Sequence, residues 1–376
     1  MDYLAAGLAF GVPFLLSVLL TALMRRLAPR LGFLDKPGGH KAHEAPMPLG
    51  GGLAMFLAWA VPVALLLAAA CAWRSTPAPT MAPGARQPLA ATERLAGNLQ
   101  ELAERASPLA LLLGGSLVIM LLGLLDDIRA LSAGGRLAVQ AGVAAGLYLA
   151  SHELRVTLFS GWGLPSFLYT VAWIVGITNA FNFLDNTDGL SAGVALVASV
   201  ILSVVGFQTG QEVMAWLSMA LAGATAGFLV FNFPPATIYM GDAGGLFLGF
   251  VLSVLTILFT FYRSGPSPSG HLYGVLMPIF ILALPIFDTL TVVVIRVREH
   301  RPIWKGDRCH FSHRLLALGM SKRETVLFIY LVTFCLGLAS TLLNALNLAG
   351  AIVIFVVGVT IFVLIALLER AGRRKT

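Results

Sequence analysis

Five aspartates, Asp126, Asp127, Asp185, Asp188 and Asp242, stand where apolar stretches meet short polar connections. Asp126 and Asp127 are adjacent in LDDIRALSAGG. Neighbouring carboxylates repel unless a cation or a shared proton sits between them, which suits a metal-phosphate site or a base of raised pKa. A solvated helix end is the bland alternative, against which the helix dipole works slightly. In NAFNFLDNTDGLSAG, Asn179, Asn182, Asp185 and Asp188 crowd one connection. The last three are spaced by three, so a helical turn there points them the same way, and Gly189 lets the backbone tighten. Amides and carboxylates are costly at membrane depth and mark functional places. In FNFPPATIYMGDAGGLFLGF, Asp242 follows Gly241 at the opening of an apolar helix. Alone it reads as a helix cap. Its glycines also leave backbone amides open to a phosphate, and Tyr239 offers a ring on which a base can stack.

Two further segments carry cations and imidazoles. REHRPIWKGDRCHFSHRLLALGMSKRE supplies Arg301, Lys305, Arg308 and Arg314, a density suited to a diphosphate, with His310 and His313 able to bind or protonate one. Cys309 beside His310 and His313 raises zinc, but a structural zinc site wants four ligands and no second cluster is visible. LDKPGGHKAHEAPMPLGGGLA adds Lys36, Lys41 and His43. Asp288, in LPIFDTL, lies deeper in its apolar run and reads as a partner of the basic loop or of a neighbouring helix rather than as a catalytic group.

The elements that must position these residues are membrane helices. The chain has 376 residues, is 58% hydrophobic and 11% charged, which excludes an ordinary soluble domain. A helix needs about 20 apolar residues to cross a hydrocarbon core of about 30 Å. Eleven runs qualify, near 3–24, 49–73, 107–125, 136–150, 166–184, 188–206, 213–232, 243–262, 274–295, 324–343 and 348–369. The fold expected is all-α, a polytopic integral membrane helical bundle forming one catalytic domain over 1–376. Nineteen of the 25 Lys and Arg fall on one side of that arrangement, together with all five aspartates. The positive-inside rule makes this side cytoplasmic, with the N-terminus outside and the C-terminus inside. The net charge of +7 is then a matter of topology and anionic lipid, giving no support for nucleic acid as a partner. The first apolar run has no basic residues ahead of it and reads as an anchor. Residues 74–106 form an extracytoplasmic loop in which Leu95, Leu99 and Leu102 follow helical spacing, predicting a short amphipathic helix on the outer surface. Residues 296–323 form the cytoplasmic basic and histidine-bearing loop.

Carboxylates for Mg²⁺, cations for phosphates, and an aromatic and amides for a nucleobase, all at one face of a bundle that lipid can enter laterally, point to phosphoryl chemistry between a soluble nucleotide and a lipid. From DKP at Asp35 to SKRE at Ser321 the sequence resembles the polyprenyl-phosphate N-acetylhexosamine-1-phosphate transferases, with four motifs in the family's order. The resemblance implies transfer of a sugar 1-phosphate from a UDP-sugar to a polyprenyl phosphate with release of UMP, needing Mg²⁺, or Mn²⁺ in its place. It implies Asp242 as the principal metal ligand with Asp185 and Asp126 beside it, and Asp126 and Asp127 as the acidic pair near the acceptor phosphate. Asn179, Asn182, Asp185 and Asp188 match an NxxNxxDxxDG pattern for nucleotide and metal. Tyr239 holds the place of an aromatic facing uracil, and His310, His313, Arg314 and Arg308 that of a diphosphate motif. Lys41 and His43 complete the expected substrate contacts.

The mechanism implied is direct displacement, in which Asp126 or Asp127 takes or shares the acceptor's proton and the acceptor oxygen attacks the β-phosphorus. A covalent aspartyl route stays open. LDNTDGL and HRPIWKGDRCHFSHRLLALG look more like the N-acetylglucosamine branch than the phospho-MurNAc-pentapeptide branch, so an undecaprenyl-phosphate N-acetylglucosamine 1-phosphate transferase of a bacterial inner membrane, initiating a cell-envelope polysaccharide, is the expectation. Two departures stand out: the family's HxHH is His310-Phe311-Ser312-His313 here, and the outer loop is long. The rivals are pentapeptide-translocase activity and, from another class, a transporter or lipid flippase, which would place acids near mid-helix. A homodimer is left open.

Overall fold

A lipid-facing backbone must satisfy its own N–H and C=O groups, so the apolar runs fold as helices. The computed structural model describes residues 3–35, 46–75, 90–156, 163–261, 276–300, 309–343 and 345–372. In chain order the helices are α1 (Tyr3–Leu27), α2 (Gly51–Ser75), α3 (Ala90–Glu104), α4 (Ala106–Ile128), α5 (Ala133–Ala150), α6 (Gly163–Leu184), α7 (Leu190–Gln208), α8 (Glu212–Asn232), α9 (Gly241–Phe261), α10 (Ala283–Arg298), α11 (Phe311–Ala317), α12 (Lys322–Leu342) and α13 (Leu348–Gly372). Among the described residues the only sheet is one antiparallel pair, β1 (Leu34–Asp35) with β2 (Met47–Pro48). The protein is an all-α polytopic membrane bundle.

Nine helices among the described residues are long and apolar enough to cross a membrane: α1, α2, α4, α6, α7, α8, α9, α12 and α13. Connectivity supplies one more pass. Arg136 at the start of α5 pairs with Asp126 at the end of α4, while α6 returns to that same end of the bundle with Asn182. The chain must therefore travel the full width in α5, whose 18 residues span about 27 Å. The segment 276–298 breaks at Leu282 between helical residues 276–281 and α10. Its α10 part lies against α11, which Asp288 holds. α5 and the 276–298 segment fall where the sequence places its fourth and ninth apolar runs. α3 forms where helical spacing predicted it, with Leu102 and Ala103 buried on the bundle.

α9 is the axis of the fold, buried along its whole apolar window. α2, α4, α6 and α7 pack around it, with Phe56 of α2 meeting Phe247 edge-on at 5.5 Å and Trp59 tilted against it at 5.7 Å. In lipid such contacts hold through packing rather than through exclusion of water, and small residues let backbones close in. Gly123 of α4 is the decisive case. A Cβ there would stand 2.5 Å from the Asp242 carbonyl oxygen and from the Ala243 Cα. Only glycine lets the end of α4 lie directly against the start of α9.

Candidate active site

That approach delivers Asp127 to the first turn of α9. Its two carboxylate oxygens accept from the backbone N–H of Asp242 (2.7 Å) and of Ala243 (3.2 Å), so an acid from α4 caps a helix whose Asp242 lies 115 residues later. Gly241 enters the helix at φ +71°, and its missing Cβ is the space into which the Asp127 carboxylate fits. Asp242 is thereby not its own helix's cap. Its side chain remains 34% exposed and faces Asp126 and Asn182. Asp126 turns away from Asp127, accepting from the Leu131 N–H at 2.7 Å and from the Arg136 guanidinium. Arg136 also lies 3.6 Å from Asp242. The adjacent carboxylates of α4 thus use separate partners.

The α6–α7 connection closes the next side. Burial first, and then the charges of Asp242, Asp127 and Asp188, push the Asp185 carboxyl well above the usual carboxylate range. Asp188 accepts from the Ala236 N–H at 3.3 Å and pairs with Lys322 at 3.5 Å. A capping box between Ser321 and Glu324 fixes the start of α12 and so the place of Lys322. Gly189 donates to Asn232 Oδ1 at 3.0 Å and its carbonyl accepts from Tyr330, which pins this connection to α12 and to the end of α8, where the α8–α9 loop begins. In that loop Tyr239 is threaded by backbone bonds to Pro48 (2.9 Å) and Gly51 (3.1 Å). Burial, then Asp188, Asp35 and Asp185, push its phenol up to about 12, so it stays a neutral donor. Asn179 sits one turn back in α6 and donates to Gln140 of α5 at 2.5 Å.

α11 lies at the same end, held from three directions. Buried Asp288 of α10 accepts from the Phe311 N–H at 2.6 Å and sits 2.8 Å from His310 Nδ1. Ser312, 1% exposed, donates to Asn186 Oδ1 at 2.5 Å. Arg314 donates to Glu369 at 3.0 Å and to the Cys309 carbonyl at 2.6 Å. His313 lies beside His310, ring centroids 6.5 Å apart.

Asp126, Asp127, Asn182, Asp185, Asp188 and Asp242 are thus brought together, with Tyr239 on their border, and His310 stands next to α6 through Phe183 at 6.5 Å. Arg314 is committed to the tail helix. Lys41, His43 and Arg308 lie outside the described residues. Sequence reasoning missed Arg136, counted there only as one of the topology cations, and Asn186 and Lys322, polar residues in loops already crowded with them. No spacing rule ties Arg136 to Asp242; only the fold does. Asp126 and Asp242 facing Arg136, and Asp188 facing Lys322, make a place for a cation and for phosphate oxygens. Among the described residues no three His, Cys, Asp or Glu side chains converge tightly enough to enclose a metal on their own.

A family model described as "Glycosyl transferase family 4" matches residues 109–260, the stretch from α4 to α9 that carries every one of these acids. The chain is 33% identical to a probable undecaprenyl-phosphate N-acetylglucosaminyl 1-phosphate transferase of Bacillus subtilis, over 90% of this chain and 84% of that protein. It is 32% identical to a decaprenyl-phosphate N-acetylglucosaminephosphotransferase of Mycobacterium tuberculosis, over 83% and 76%. Similarity to a phospho-N-acetylmuramoyl-pentapeptide-transferase of Latilactobacillus sakei, 38% identical, covers 29% of this chain and 34% of that one.

Proposed function

The chain belongs to glycosyl transferase family 4, in its polyprenyl-phosphate N-acetylglucosamine 1-phosphate transferase branch, and from that membership we propose that it moves N-acetylglucosamine 1-phosphate from a UDP-sugar to polyprenyl phosphate and releases UMP. The observation carrying this reading is the convergence on Asp242 of acids from α4, the α6–α7 connection and α9, with Arg136 among them. The pentapeptide reading has only a short partial match behind it.

The donor set fits Mg²⁺. That ion keeps several waters and is held by one or two carboxylates plus substrate phosphates rather than by an all-protein cage, so the lack of a three-ligand group among the described residues is no obstacle. Asp242 and Asp185 would hold it, where it would neutralise charge on the diphosphate and the departing UMP. Asp126 has one oxygen on the Leu131 amide and the other on Arg136. Its remaining lone pairs take the acceptor's proton, while Arg136 draws the acceptor phosphate in. The acceptor oxygen bonds to the β-phosphorus, the bond from that phosphorus to the bridging oxygen breaks, and UMP leaves with the bridging oxygen. Asp127 keeps the first turn of α9 in register for Asp242. Tyr239 lies against uracil and donates from its phenol. His310, with His313, Arg308, Lys41 and His43, meets the phosphates. Asn182 orients Asp242.

The connections at the site end carry nineteen of the 25 Lys and Arg, which supports a cytoplasmic site in a bacterial inner membrane with the acceptor entering from the lipid. Purified protein in detergent is given polyprenyl phosphate, UDP-N-acetylglucosamine and Mg²⁺, and UMP and lipid-linked sugar are followed. UMP release that needs both metal and lipid is the expected result. Folded protein that turns over no UDP-sugar would overturn the reading.

A further inference from the structure

Asp288 is an acid well inside α10 and 1% exposed, a costly arrangement in a membrane unless both oxygens are used. Both are: one meets His310 Nδ1 at 2.8 Å, the other the Phe311 N–H at 2.6 Å. A carboxylate can only accept, so the hydrogen between Asp288 and His310 sits on Nδ1, and the free lone pair or second N–H of the ring is at Nε2. Nε2 makes no hydrogen bond to any described residue, and it is not among the enclosed, unpartnered atoms of the protein. The ring stands between Asp288 behind it and Phe183 of α6 beside it. Because Asp288 also caps α11, ring and helix are set by one side chain, and Ser312 on Asn186 sets the helix against the α6–α7 connection that carries Asp185 and Asp188.

Resting on the transferase reading above, we infer that Asp288 is the positioning residue of the reaction: it fixes His310 as the Nδ1–H tautomer, aims Nε2 at the phosphates of the donor, and acts on turnover only through that ring. The Asp288→Asn variant keeps the shape and leaves an oxygen to accept from Phe311 N–H. Its amide N–H₂, placed at Nδ1, turns the ring into the Nε2–H tautomer.

Two readouts test this. Histidine-¹⁵N spectra of the full-length protein in detergent, with His310 assigned by its loss in His310→Ala, read the tautomer without reference to activity. Protonated Nδ1 in the unaltered protein is expected, and protonated Nε2 with bare Nδ1 would overturn the proposal even if no UDP-sugar turned over. Steady-state kinetics then compare Asp288→Asn, His310→Ala and the double variant, with thermal unfolding of each. For Asp288→Asn, kcat falls on the order of 10²-fold with KM for the UDP-sugar changed by less than about threefold, and adding it to His310→Ala costs nothing further. A cost that repeats in the His310→Ala background would mean that Asp288 only holds the fold, and undiminished kcat would also overturn the inference. Should Asp288→Asn not fold, the tautomer of the unaltered protein decides alone.

Discussion

At the scale of single residues, the two neighbouring aspartates of α4 have different work. Asp127 spends both oxygens on the amides of α9, and Asp242 keeps the more open carboxylate. Asp242→Asn should therefore leave the thermal unfolding midpoint in detergent nearly unchanged and abolish UMP release, and substantial residual turnover would remove it from the centre of the site. Asp127→Ala removes a helix cap and leaves two α9 amides without their acceptor, costing about 1–2 kcal/mol. A lowered midpoint together with lost activity is expected, and a drop in activity at full stability would assign Asp127 to chemistry instead. The identity of these acids was legible because carboxylates are rare in apolar sequence. Their division of labour was not, since adjacent residues in LDDIRALSAGG differ only in the direction that the helix gives them.

At the scale of elements, the site depends on how closely α4, α2 and α6 approach α9. Gly123→Ala places a methyl group against the Asp242–Ala243 backbone and should cost about 1–3 kcal/mol by overpacking, with turnover falling because Asp242 is displaced. Gly146→Ala in α5 meets nothing within 4 Å. It serves as the control, neutral or stabilising by up to about 1 kcal/mol. Ser312 clasps α11 to Asn186. A double-mutant cycle of Ser312→Ala with Asn186→Ala, read by thermal unfolding, should give a coupling of about 0.6 kcal/mol, the usual size for polar pairs between membrane helices. Additive losses would show that the bond contributes nothing. The helices themselves were readable from hydropathy and length. The break at Leu282 and the short α11 were not, because apolar content continues through the first and only tertiary anchors hold the second.

At the scale of the whole molecule, charge and chemistry sort to the same end. The tail helix α13 reaches that end through Glu369 on Arg314, so its C-terminus and the acids share one side of the membrane. A fluorescent protein fused after α13 should fluoresce in a bacterial host, whereas alkaline phosphatase at the same place should be inactive. Active phosphatase there would invert the orientation and place the acids outside. The cation count that predicts this is a property of composition along the chain, since it needs only the order of apolar runs and the places of Lys and Arg between them.

The sequence by itself determined the class of molecule, where its apolar helices lie and which acids are candidates, because lipid forces helices of a set length and penalises every charge that has no purpose. Tertiary structure decided the rest: that Asp127 caps α9, that Arg136 joins Asp126 to Asp242, that Arg314 serves the tail helix and that Asp288 holds His310. Each of these is a contact between residues from separate helices. Hydropathy records which residues face lipid or water, but the rotation and depth of one helix against another are set by side-chain packing, here by the missing Cβ of Gly123 against the start of α9.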